Sequence, residues 1–78
     1  MAIFGGDNAI TVTPSNTVDL GVLAKRFYVG GTGAIKVDTA NGVTITFTAV
    51  PVGVFDTGCR IKKVYSTGTT ATNIIGIY

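Results

Sequence analysis

A chain of 78 residues and 8.0 kDa holds one small domain and leaves no room for two lobes with a cleft between them. Valine, isoleucine and threonine supply 31 of the residues and glycine another 11, while Glu, Gln, His and Trp are absent, which is a strand-and-turn composition. With no histidine, one cysteine and four acidic groups, all Asp, the chain lacks the parts for most hydrolytic, redox or metal chemistry, and a net charge of +2 is too weak to call for a polyanionic partner.

Residues 1–8 read as an arm, with apolar Ile3 and Phe4 ahead of a flexible Gly5-Gly6 joint, and residues 9–78 as a single β domain. Residues 9–13 alternate apolar and hydroxyl side chains before Pro14-Ser15-Asn16, so they predict a short strand ended by a turn. Residues 18–24 could make one helical turn, with Gly21 arguing against more. Phe27-Tyr28-Val29 predicts a second strand and residues 34–38 a third, in which Ile35 and Val37 face the core while Lys36 and Asp38 face water. Asn41-Gly42 then predicts a tight type I′ hairpin into residues 43–47, placing Val43, Ile45 and Phe47 on the core face beside Ile35 and Val37.

Val50-Pro51-Val52-Gly53 forces a corner, because proline cannot donate to a ladder. Residues 59–66 predict the next strand, where Ile61 and Val64 stand three apart and reach the same face only through a bulge at Lys62-Lys63. Residues 73–78, apolar at nearly every position, predict a last strand covered on both faces, joined to its predecessor by the uncharged loop of residues 67–72. The fold class is all-β: a small antiparallel β-sandwich or jelly-roll-like barrel of five to seven short strands.

For a domain this small, apolar burial and chain ordering nearly cancel. Cys59 has no internal disulfide partner and no cluster of ligands could hold zinc, so self-association is the reinforcement left open. A mean hydropathy of +0.50 with 13% charged residues agrees, since so few charges cannot cover a monomer. A membrane is not expected to take that apolar surface. The uncharged stretches 39–55 and 64–78 are broken by Gly, Pro and Thr and do not offer the roughly 20 apolar residues of a spanning helix. The opening Met-Ala-Ile-Phe-Gly-Gly-Asp lacks the basic region and long apolar core of a signal peptide, which predicts a protein made and kept in a cytoplasm or in a particle assembled there.

Gly30-Gly31-Thr32-Gly33 has the glycine content of a phosphate loop, but strand rather than helix follows it, so it reads as a hairpin turn. Cys59, without a histidine to deprotonate it, reads as a small buried hydrophobe. The aspartates are too scattered for a calcium loop or a carboxylate pair. The chain is therefore expected to be no enzyme and to carry no cofactor or metal. Arg60, Lys62, Lys63 and Tyr65 form a basic and aromatic interleaving of the kind that holds single-stranded nucleic acid on a small β-barrel. Six cations against four anions make that an alternative rather than the leading reading.

Four segments follow one another in a familiar order: residues 13–20 (Thr-Pro-Ser-Asn-Thr-Val-Asp-Leu), 25–33 (Lys-Arg-Phe-Tyr-Val-Gly-Gly-Thr-Gly), 50–53 (Val-Pro-Val-Gly) and 67–74 (Thr-Gly-Thr-Thr-Ala-Thr-Asn-Ile). Together they resemble the head spike base proteins of gene-transfer agents and tailed phages, over roughly residues 13–78. The resemblance implies a virion structural protein on the outer head surface, either the pentameric base of a head spike or a capsid decoration protein at five-fold vertices. A three-fold cement or a tail structural protein is the alternative within that class. Its partners would be further copies of itself, five or else three, the major capsid protein, and a spike or fibre protein above. The arm residues Ile3 and Phe4 and the loop residues Thr69, Thr70 and Thr72 are the candidate contacts, because uncharged side chains can lie against a neighbour without burying charge.

Overall fold

In the computed structural model, residues 8–78 are described and none of them is helical. Six strands, β1 (Ala9–Thr11), β2 (Ala24–Gly31), β3 (Gly33–Thr39), β4 (Thr44–Val50), β5 (Gly53–Val64) and β6 (Thr72–Ile77), form one antiparallel sheet in the order β1-β6-β2-β5-β3-β4. Residues 18–24 do not form the helical turn. Gly21 takes a φ of +86°, and Ala24 instead opens β2, fully buried.

β5 decides the shape. Its first half pairs with β2 (Phe27 opposite Phe55, Tyr28 opposite Val54) and its second half with β3 (Val37 opposite Val64, Asp38 opposite Lys63). Between them, residues 57–60 stand opposite the lone Lys25. The Asp56 carboxylate accepts from the Gly58 N–H at 2.8 Å, and Gly58 takes a φ of +80°, which is turn chemistry inside a strand. The sheet therefore folds over on itself. Phe47 of β4, two places from β5 in the sheet order, meets Phe55 of β5 edge-to-face at 5.1 Å. The Thr32 hydroxyl donates to the Val50 carbonyl at 2.6 Å, tying the far edge to the β2–β3 corner.

The fold encloses one core. Phe27 and Val29 of β2, Ile35 and Val37 of β3, and Ile61 and Val64 of β5 are fully buried, with Ile74 of β6 and Val50 of β4 beside them. Each such side chain contributes roughly 1.5–3 kcal/mol on burial. Ile61 and Val64 reach the same face because Lys62 is an extra residue between the pairs Asp38–Lys63 and Thr39–Ile61, the bulge that the spacing predicts.

Four local expectations change. The β3–β4 hairpin forms, but not through a type I′ turn. The Gly42 N–H bonds to the Thr39 carbonyl and the Thr39 N–H to the Val43 carbonyl, with positive φ at Gly42 and not at Asn41, so the connection has three residues closed by glycine. Val43 and Ile45 do lie on the Val37 side, but they stay 53% and 38% exposed because β4 is an edge strand and none of the described residues covers its end. Gly30-Gly31-Thr32-Gly33 is a corner rather than a hairpin turn, since β5 lies between β2 and β3. On β6, Ile74 and Gly76 are buried while Ile75 and Ile77 are half-buried, so only the inner face is fully covered.

Candidate interaction surface

Asp38 alternates away from Ile35 and Val37, as expected, yet it is buried rather than wet. The Thr44 hydroxyl donates to its Oδ1 at 2.5 Å, the Tyr65 hydroxyl to its Oδ2 at 2.9 Å, and the Lys63 ammonium lies 3.5 Å from Oδ2. The Thr44 hydrogen bond above all, then those of Tyr65 and Lys63, holds the carboxyl below its ordinary range against burial, which pushes it up. Lys63 and Lys36 lie 4.6 and 5.0 Å from the centre of the Tyr65 ring. Lys63 also donates to the Asn16 carbonyl at 3.3 Å. Two members of the basic and aromatic set, Lys63 and Tyr65, are thus engaged within the fold. Lys62 is half-buried and its carbonyl accepts from the Leu20 N–H, while Arg60 is exposed beside the β3–β4 turn.

The loop of residues 65–71 takes over where β5 leaves β3. The Lys36 carbonyl accepts from Tyr65 N–H, the Lys36 N–H donates to the Thr69 hydroxyl at 3.0 Å, and the Ala34 N–H donates to the Thr70 hydroxyl at 2.8 Å. Threonine side chains here stand in for a strand's carbonyls. Thr69 and Thr70, candidates for contact with a neighbour, therefore spend their hydroxyls inside the subunit, while Thr72 is exposed at the start of β6. Ile3 and Phe4 lie outside the described residues.

This docking explains the glycines of the corner. A Cβ on Gly33 would stand 2.6 Å from the Ala71 nitrogen and 2.7 Å from the Thr70 hydroxyl; one on Gly31 would overlap Thr72, and one on Gly30 would meet the Asn73 Cβ at 2.7 Å. None of the three has a positive φ, so glycine is needed here for close approach and not for backbone conformation. The two glycine- and threonine-rich segments singled out in the sequence are in contact with each other.

Two exposed apolar patches remain for partners. On the outer side of β2 and β5, Tyr28 and Val54 face each other, 41% and 66% exposed, with Val52 nearby in the chain at 60%. At the open end of the folded sheet, Val43 of the β3–β4 turn, Ile45 of β4 and Cys59 and Arg60 of β5 line a shallow groove of about 490 Å³. Cys59 is half-buried there, packed against the core rather than enclosed in it. Sequence reasoning missed this surface, because alternation says which face a strand offers the core and not whether anything covers it.

No family model matches the chain, and no curated protein matches it. Among solved structures, the fold is similar to a chain in the capsid of a native GTA (gene transfer agent) particle computed with C5 symmetry. The two superpose with a TM-score of 0.79 at 26% sequence identity, covering 94% of this chain and 83% of that one. The chain is thus similar along nearly all of its length to a component of a phage-like capsid.

Proposed function

We propose that this protein is a virion structural protein that seats on the outside of a phage-like head as a ring of copies, serving as the base of a head spike or as a decoration protein at the five-fold vertices. The observation that carries the reading is the near-complete superposition on a chain of a GTA capsid, in a particle computed with five-fold symmetry. The chemistry of the surface supports it. Uncharged strands and threonine-rich loops can lie on a repeating protein lattice without stranding charges, and many weak seats act together. Catalysis has no part in this role. The major capsid protein beneath and a spike or fibre above are the partners that such a seat requires.

The test is a density map of the parent particle from cells lacking the gene, against the complemented strain. The reading requires loss of density at the vertices on deletion and its return with the gene. An unchanged head surface overturns it, and density lost at three-fold positions or from the tail moves the protein elsewhere in the virion.

A further inference from the structure

We infer that the free edge of β4 is a docking strand for a second copy of this chain, and that the strand it receives is the free edge of β1 of that copy, in head-to-tail order. The inference deepens the self-association in the proposed function and rests on that part of it.

β4 and β1 end the sheet order, so among the described residues each is paired on one side only. In an antiparallel ladder, residues alternate between bonding inward and outward. Val43 bonds across to Thr39, so Ile45 and Phe47 bond inward and Thr44 and Thr46 turn their N–H and C=O groups to the open edge. At the other end, Asn8 exchanges two backbone bonds with Tyr78 and Val12 donates to Ile74, which leaves Ala9 and Thr11 facing outward. Each edge thus presents two outward-facing residues of matching spacing.

Exposed edges are ordinarily protected by lysine, proline or a buried inward charge. None of the ten charged residues, six basic and four acidic, lies on β1 or β4, and neither strand contains proline. For a chain of net charge +2, these are the places where a like-charged copy can approach without repulsion. A strand added to β4 also lies beside Val43 and Ile45, the exposed apolar residues of the groove. One chain carries both a donor and an acceptor edge, so head-to-tail pairing leaves neither open and can close a ring. Another macromolecule seated on β4 would leave β1 open.

The experiment is a mass measurement of purified full-length protein at micromolar concentration for the wild type, Thr46→Pro, Thr11→Pro and an equimolar mixture of the two. Each proline removes an outward N–H and leaves the inner ladder intact; Thr46→Lys and Thr11→Lys repeat the design should a proline variant lose its β-sheet circular dichroism. Head-to-tail pairing requires an oligomeric wild type, single chains of 8.0 kDa for each variant, and a mixture at twice that mass, since each variant keeps the edge the other lacks. An oligomer that persists in Thr46→Pro or Thr46→Lys overturns the inference while leaving self-association standing, and one that persists only in the β1 variants replaces it with β4-to-β4 pairing. A monomeric wild type removes self-association itself.

Discussion

Asp38 shows how one carboxylate orders a neighbourhood. It is placed by β3 opposite Lys63, and its two oxygens gather Thr44 from the hairpin and Tyr65 from the loop after β5. A carboxyl held below its unfolded value contributes stability that is complete above the ordinary aspartate pKa, about 3.9, and is lost as pH falls through the lower folded value. The urea midpoint of the wild type should therefore fall as the solution is acidified below about pH 4, and Asp38→Asn, which cannot titrate, should lose that part of the acid dependence. An acid limb as steep in Asp38→Asn as in the wild type would show that other groups set it. Ala49 carries backbone strain. It sits at φ +55° where β4 takes an extra residue between the pairs Ile35–Phe47 and Gly33–Val50. A left-handed backbone costs an L-residue roughly 1–2 kcal/mol, more than the entropy that glycine adds to the unfolded chain, about 0.5–1 kcal/mol. Ala49→Gly should then raise stability by about 0.5–1 kcal/mol in a denaturant melt, and a loss would mean that the alanine methyl packs usefully.

At the scale of elements, the loop of residues 65–71 and the β2–β3 corner are one device. The corner carries glycines because the loop lies on it, and the loop carries threonines because β3 has backbone donors left unpaired after β5 departs. Thr70→Val keeps the shape but removes the acceptor for the Ala34 N–H, and should cost about 1 kcal/mol with faster hydrogen exchange at that amide. Gly33→Ala drives a methyl into backbone and should cost about 1–3 kcal/mol, since neither side can yield as a side chain could. If Gly33→Ala melts like the wild type, the close packing of loop on corner is not as tight as 2.6 Å implies. The sequence predicts this strand only over residues 59–66, whereas β5 runs from Gly53 to Val64 through the bend at Asp56-Thr57-Gly58, because β2 and β3 share it as one partner.

For the whole molecule, a folded surface of 4481 Å² is close to the roughly 4,400 Å² that mass scaling gives for a compact monomer of this size. Its unprotected edges and exposed valines are where further burial is available. If a ring seats on a capsid through several weak contacts at once, a folded but monomeric Thr46→Pro should bind purified heads more weakly by about 10²–10⁴-fold, because avidity is lost while each seat is intact. Equal occupancy for monomer and ring would remove avidity from the account. The nucleic-acid alternative has its own measurement. Retention on single-stranded DNA at low salt, falling with added salt and abolished in Lys62→Ala with Lys63→Ala, would support it; Lys63 and Tyr65 already hold Asp38 and each other.

The strand content, the hairpin around Asn41-Gly42, the bulge at Lys62 and the corner at Pro51 were legible because each depends on neighbours in the chain: alternation, turn geometry, a missing amide proton. The order β1-β6-β2-β5-β3-β4 was not, nor the burial of Asp38, nor the exposure of Val43 and Ile45. Those depend on which distant segment covers a given face. A period of two assigns a side chain to one side of a sheet, but only the fold-over at residues 57–60 decides whether that side meets another layer or water.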